Sequence, residues 1–339
     1  MNLDAHTIEP ASVSSANVVE AARALEGRVI RTPLLSVPAL NQRAQREILL
    51  KVESLQHIGA FKARGALYAC SKLSAQALAA GLCTFSSGNH GQAVALAAKE
   101  AKTVAVVVMP EDAPQTKVDA VRELGAEVVF AGKTTAERQT RAHAIARERG
   151  LTIIPPFDDA NVIAGQGTAT LELIQEAAAR GTPVDAVIVP VGGGGLLAGA
   201  CLAAELATSN VKVIAAEPDT ADAFRKSLAA GRRVTVPPSS SIADGLRPIE
   251  VGALNFAVAS PRVAQAITVT EAELGLATVR LLAWAKLLVE PSGACALAAC
   301  FSQDLPRELR RVGVIISGGN IAMSTLQRLL AEHGESFAR

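Results

Sequence analysis

A single lysine, Lys62, stands between Phe61 and Ala63 in the stretch SLQHIGAFKARGA. An amine so placed is either a solvent-facing lysine at a helix start or a nucleophile. To serve as a nucleophile it must be held largely unprotonated, which partial desolvation in a cleft achieves. A second stretch, FSSGNHGQAVALAAKE, follows a short apolar run ending at Phe85 and opens a helix after about His90. Ser86, Ser87, Gly88, Asn89 and His90 there turn backbone N–H groups toward one point, which suits an anion such as a carboxylate. The alternative is an ordinary capped helix start with His90 packed and hydrogen-bonded.

Four successive glycines in VPVGGGGLLAG, Gly192, Gly193, Gly194 and Gly195, follow an apolar run and precede another helix beginning near Leu196. They allow a close backbone approach and present N–H groups to a phosphate. Gly193, Gly195 and Ala198 also satisfy G-x-G-x-x-A, and Glu217 follows at the end of the next strand, as in nicotinamide dinucleotide sites. That fingerprint normally occupies the first turn of its domain, whereas this one lies mid-chain, and a GK[ST] P-loop is absent. A phosphate is indicated, but glycines alone do not say whose. Three shorter elements, IADGL around Asp244 and Gly245, VEPSGA at 289–294 and IISGGN at 315–320, fall on the rim where open α/β sheets bind ligands. Ser317, at the end of a predicted strand, is placed to hydrogen-bond inside a pocket. The five histidines show no ligand-like spacing with cysteine or acid, which leaves zinc catalysis unsupported.

These residues must be positioned by regular elements, and the chain has one rhythm. TVAVVVMP is followed by KVDAVRELG, AEVVFAG by TAERQTRAHAIARERG and then TIIPP; later come VDAVIVPVG, LLAGACLAAELA, VKVIAAEP, VGVIISG and IAMSTLQRLLAEHG. Apolar runs of strand length without polar alternation predict strands covered on both faces, with helices as crossovers. The fold class is α/β with mostly parallel sheets. One break is visible, GRRVTVPPSSSIADGLRP at 231–248, where prolines and serines interrupt helix-forming sequence. The 339 residues are 50 % apolar and 19 % charged, with 33 basic against 32 acidic side chains, so no broad nucleic-acid footprint is expected. The longest apolar runs are too short to cross a bilayer, and the start MNLDAHTIEP lacks a secretion signal. Cys70, Cys83, Cys201, Cys295 and Cys300 form no CxxC, which predicts buried free thiols in a reducing, cytoplasmic setting.

Lys62 within GAFKARGA, then SSGNHGQA, GGGGLLAG, IADGL, EPSGA and SGGN, in this order, resemble the pyridoxal-phosphate enzymes of fold type II. The resemblance spans 32–330 and is to the serine/threonine dehydratases (threonine ammonia-lyases) and serine racemase. It implies a tryptophan synthase β-like architecture of two open, mostly parallel α/β domains. A small domain at 81–158 is inserted in a large one made of 1–80 and 159–339, with pyridoxal 5'-phosphate in the cleft. Lys62 then matches the lysine that carries the cofactor as a Schiff base, and Phe61 packs against the pyridine ring with the backbone near Gly245 on its other face. Gly192 to Leu196 cradle the phosphate, Asn89 bonds the ring hydroxyl oxygen, and Ser317 faces the pyridine nitrogen. A serine there does not force that nitrogen to be protonated, which gives β-elimination more weight. Ser86, Ser87, Gly88, Asn89 and His90 receive the substrate α-carboxylate, and Arg138 matches a position on the substrate's distal side in serine racemase.

The resemblance implies a dehydratase that converts L-threonine or L-serine to a 2-oxo acid and ammonia, with Lys62 removing the α-proton. Serine racemase, or a dehydratase for 3-hydroxyaspartate or another larger hydroxy amino acid, is the alternative; a nicotinamide-dependent oxidoreductase is a distant one. Racemisation needs an acid on the face of Cα opposite Lys62, and Ser87 matches the serine that supplies it in serine racemase. The expected partners are a small amino acid and a second copy in a homodimer, with no membrane and no nucleic acid. Two departures stand out. The chain stops soon after SGGN and one helix, so the C-terminal regulatory region of biosynthetic threonine dehydratases is not expected. Of the divalent-cation ligands in serine racemase, Glu217 and Ala221 match the glutamate and the backbone carbonyl, but the aspartate position is Ala223. Asp222 sits one residue early, where its side chain is aimed elsewhere. A hard cation needs several correctly aimed oxygens, so little dependence on magnesium or calcium is expected.

Overall fold

The computed structural model of the protein describes residues 13–86 and 88–334. Among these, ten strands form two sheets. Six strands lie in the order β1 (Leu34–Ser36), β2 (Glu47–Val52), β10 (Arg311–Ile316), β7 (Ala186–Pro190), β8 (Lys212–Pro218) and β9 (Val263–Val269). Only the β1–β2 pair is antiparallel; Leu35 faces Leu50, whereas Ile315 pairs with Lys51 in parallel register. The second sheet is all parallel, in the order β5 (Glu127–Phe130), β4 (Ala105–Met109), β3 (Leu82–Phe85) and β6 (Thr152–Ile153).

The apolar runs account for the strands' positions. Every residue of AVVVM in β4 and of AVIVP in β7 is buried, as expected where helices cover both faces. Strands β1, β2 and β9 lie outside the predicted alternation. In β9, VAQAITV, polar residues interrupt the run and most of the strand is only half-buried at the sheet edge. The break at 231–248 holds no helix or strand until the 3₁₀ turn Asp244–Leu246. All five cysteines are buried free thiols, and no described helix is long and apolar enough to cross a membrane.

Two helices that carry site residues are pinned to a third. The helix Ala160–Ala179 runs between the helix Lys62–Ser71 and the helix Gly195–Ala204. Its Gly165 lies against Gly65, where an added Cβ would come within 2.7 Å of the Gly65 Cα. Its Gly167 lies against Gly199, where a Cβ would meet the Gly199 carbonyl at 2.6 Å. Backbones this close leave no room for side chains. The starts of both helices, one at Lys62 and the other at the glycine loop, are therefore held by one rod.

Candidate active site

Lys62 is the first residue of its helix, which an antiparallel bridge between Ala60 and Gly318 ties to the end of β10. The Phe61 amide donates to the Ser317 carbonyl at 3.0 Å. Lys62 Nζ is half-buried and donates to the Pro156 carbonyl at 2.6 Å, 5.2 Å from the centre of the Phe61 ring. Among the described residues no carboxylate pairs with this ammonium, and burial pulls its pKa down to about 8. Phe61 itself packs against the core of the six-stranded side, which includes Val189, Leu196 and Ile315. Ser317 is 4 % exposed, and its hydroxyl forms no hydrogen bond with the described residues.

The helix Asn89–Glu100 starts earlier than the sequence predicts, because Gly88 adopts the non-helical backbone of an N-cap and puts Asn89 and His90 in the first turn. The Gly88 amide donates to Ser86 Oγ at 3.1 Å. The first amides of a helix have no intrahelical acceptor, so those of residues 89 and 90 suit an anion; the Gly91 amide already donates to the Gly88 carbonyl at 3.0 Å. Ser87 lies outside the described residues. His90 is 3 % exposed, with its Nε2 donating to the Ile154 carbonyl at 3.0 Å. Burial, reinforced by the Lys62 charge, pulls its pKa down to about 3, so the ring is neutral near pH 7. Asn89 is gripped from both ends: its Nδ2 donates to Glu290 Oε1 at 2.8 Å, and its Oδ1 accepts from Asn320 Nδ2 at 2.8 Å. Burial and nearby Asp244 push Glu290 up to about 7, although Asn89 and Lys117 oppose the shift.

The glycine loop needs glycine at three places. A Cβ on Gly192 would stand 2.7 Å from the Gly245 carbonyl, and one on Gly193 would enter the Phe157 ring at 2.2 Å. Gly194 has φ +93°, in the left-handed region. Two residues not singled out in the sequence shape this loop. Asn255, 1 % exposed, donates from Nδ2 to the Gly193 carbonyl at 2.6 Å. Asp158 caps the helix Ala253–Ala259 by accepting from the amides of Ala253, Leu254 and Asn255 at 2.9, 2.8 and 3.1 Å. Gly245 donates to Ser292 Oγ at 3.0 Å, which fixes the backbone opposite Gly192.

Two expected positions stand apart. Arg138 is 7 % exposed, but its guanidinium donates to the Lys133 carbonyl at 3.1 Å and to Thr135 Oγ1 at 3.0 Å, both near its own helix start. At the position of the divalent cation, Glu217 already accepts from the Phe224 and Arg225 amides, each at 2.8 Å. Asp222 pairs with Arg225 and Lys226. No described group of three or more His, Cys, Asp or Glu is placed to hold a metal ion. Ala223, which offers no side-chain oxygen, stands where the resemblance places the aspartate ligand.

The residues of the cleft fit pyridoxal phosphate: a glycine cradle at a helix N-terminus, an amine without a described counter-ion, a buried serine hydroxyl, and an asparagine whose second Nδ2 hydrogen remains for a ring oxygen. Residues 25–318 match the family model described as pyridoxal-phosphate dependent enzyme, and the chain belongs to that family. It is 39 % identical to a serine racemase from Dictyostelium discoideum over 95 % of this chain and all of that one, and a crystal structure of serine racemase from that organism superposes with TM-score 0.85. It is 37 % identical to an L-threo-3-hydroxyaspartate ammonia-lyase from Saccharomyces cerevisiae, over 93 % of this chain and 95 % of the relative. A crystal structure of the T.th. threonine deaminase is 41 % identical, covers 91 % of this chain and 99 % of its own, and has TM-score 0.86. The architecture is that of the tryptophan synthase β-like enzymes, and the protein is a pyridoxal-phosphate-dependent enzyme of small amino acids, acting as a racemase or a lyase.

Proposed function

We propose that the protein is a serine racemase that also eliminates water from L-serine to give pyruvate and ammonia, working as a homodimer. The observation that carries the shared chemistry, removal of the α-proton, is the Lys62 amine. It gives one N–H to a neutral carbonyl, pairs with no described carboxylate, and loses its proton at about pH 8, so its lone pair is available near neutrality. Racemase relatives favour this reading over a strict dehydratase.

The roles proposed for these residues rest on the resemblance to the family, supported by the placements described above. When bound, pyridoxal phosphate supplies the electron-withdrawing ring that acidifies the substrate's α-proton. The amides of residues 192–196 would hold its phosphate, Phe61 and the Gly245 backbone would flank its ring, and Asn89, oriented by Glu290 and Asn320, would bond its hydroxyl oxygen. Ser317 would meet its pyridine nitrogen. Ser86, Gly88 and the first-turn amides of Asn89 and His90 seat the substrate α-carboxylate; the buried His90 ring serves as packing. Lys62 takes the α-proton from one face of Cα. Ser87 returns a proton from the other face, which inverts the centre; loss of the β-hydroxyl as water instead yields the lyase products. Residues 81–158, which carry the four-stranded sheet, form the small domain, and its Ser86 and residues 88–90 line the cleft.

A lyase for L-threonine or 3-hydroxyaspartate uses the same Lys62 and the same carboxylate loop but needs no second acid. Chiral chromatography of residual serine, beside a pyruvate assay on the same samples, separates the two readings. The wild type should convert L- to D-serine, and Ser87→Ala should abolish that conversion while keeping most L-serine dehydration. A wild type that makes pyruvate over many turnovers without D-serine is a lyase alone.

A further inference from the structure

We propose that Lys117 and Asp244 set the selectivity between hydroxy amino acids with neutral side chains and those bearing a second carboxylate; this rests on the substrate reading above. Lys117 lies on the helix Gln115–Glu123 beside the four-stranded sheet, and Asp244 opens the 3₁₀ turn that leads into Gly245 beside the six-stranded sheet. Although 127 residues apart in the chain, their side chains meet at 2.6 Å. The ammonium also hangs over the carboxylate loop, 3.7 Å from where a Cβ on Gly88 would stand. On its other side Asp244 Oδ1 accepts from Ser292 Oγ at 3.4 Å, and Ser292 Oγ in turn holds the Gly245 amide. The pair therefore bridges the loop that seats the substrate and the loop that flanks the cofactor.

Lys117, rather than Arg138, which is bound to its own helix start, is thus the cation that stands at the carboxylate loop. A dicarboxylic amino acid seated through its α-carboxylate brings the second carboxylate toward that ammonium. There it meets Asp244, which already holds the cation and repels a like charge. A serine or threonine side chain brings no charge and leaves the pair intact. Asp244 is in this sense a built-in competitor for a second carboxylate, and the wild-type site favours neutral side chains.

The test uses the holoenzyme and initial rates of 2-oxo acid formation from L-serine and L-threo-3-hydroxyaspartate. Asp244→Asn, which frees Lys117, should raise the ratio of kcat/KM for hydroxyaspartate over serine by about tenfold or more, mainly through KM. Lys117→Met should lower that ratio about tenfold, and Lys117→Arg, which keeps the charge, should hold it within about threefold of the wild type. The visible band of the bound cofactor, unchanged in all three, shows that the site is assembled. Serine turnover with ratios that move less than about twofold, or in the opposite directions, overturns this proposal alone. A wild type inactive on both amino acids overturns the substrate reading and this proposal with it.

Discussion

Lys62 and Arg64 stand two residues apart on one helix and are kept in opposite electrostatic states. Their positions turn them to opposite sides of the helix. Lys62 looks into the cleft, toward a carbonyl and an aromatic ring. Arg64 looks into the protein, where its Nε and Nη2 reach Glu53 at 2.7 and 2.8 Å and its Nη1 and Nη2 reach Glu172 at 2.7 and 2.9 Å. Lys51 joins the cluster through Glu172 at 2.6 Å, and Thr32 donates to Glu53 at 2.6 Å. Two cations thus face two carboxylates, with Lys51, Glu53 and Arg64 fully buried. Burial alone would lower the Arg64 pKa, but Glu53 and Glu172 more than reverse it and hold the guanidinium charged. Burial acts on Lys62 unopposed. What separates Arg64 from Lys62 is the pair of carboxylates around it; at Lys51, which shares them, burial still outweighs Glu172 and Glu53 and lowers the pKa.

The largest effect should come from breaking the anchor. Arg64→Met leaves the buried Glu53 without its ion-pair partner and Glu172 with Lys51 alone, and removing one member of a buried ion pair costs about 3–5 kcal/mol. Urea unfolding of the holoenzyme measures it; a loss below about 1 kcal/mol would mean that the cluster is better hydrated than its burial indicates. The converse change, Lys62→Ala, removes no ion pair. Stability should stay within about 1 kcal/mol of the wild type, while ammonia release from L-serine falls by at least about 10²–10⁴-fold. Circular dichroism melts and an ammonia assay on the same preparation separate the two effects.

The contrast explains what was legible in the sequence. Strands such as AVVVM announce themselves because an unbroken apolar run has few other uses, and the glycine loop because close approach tolerates no side chain. Lys62 was legible as a reactive amine only through the ordered motifs around it; FKARG by itself does not distinguish Lys62 from Arg64. The anchoring cluster could not be read, since Lys51, Glu53 and Glu172 meet across 121 residues of chain and each looks like an ordinary surface charge. The same holds for Asp158 and Asn255. Asp158 caps a helix 96 residues away in the chain, at Leu254, and that helix supplies the bond to Gly193. Glu290 and Asn320 sat inside recognised motifs, but only the fold shows that they hold Asn89 between them.

Titration separates the two cations in a second way. An unperturbed lysine loses its proton near ~10.4, so a Lys62 pKa of about 8 makes the free amine the majority form above that pH. In the cofactor-free protein, acylation of Lys62 by an amine-selective reagent, read by peptide mapping, should rise with pH to a half-maximum near 8. Between the folded pKa and the higher unfolded one, the unfolded chain binds more protons, so this group makes the cofactor-free protein more stable as pH rises through that window. A labelling midpoint near that of exposed lysines would mean that Lys62 has an unseen counter-ion, and the contrast with Arg64 would collapse.

The smallest expected effect is on metal binding, and it carries the comparison over to carboxylates. Asp222 is partnered as Arg64 is, by Arg225 and Lys226. Glu217 is held by two backbone amides at the start of the helix Ala223–Ala230, but burial outweighs them and pushes its pKa up to about 8. A divalent cation would have to displace these partners and would find Ala223 where a third oxygen is needed. Filling a true site to about 100 times its dissociation constant adds about 2.7 kcal/mol of stability, worth several degrees in melting temperature. After exhaustive chelation, millimolar magnesium or calcium should therefore leave the melting temperature within about 1 °C and serine turnover within about twofold. Ala223→Asp supplies the missing carboxylate beside Glu217 and should make melting respond to calcium. A wild type that loses more than about tenfold of its activity on chelation and regains it with magnesium would show that Glu217 gives up its amides for a metal after all.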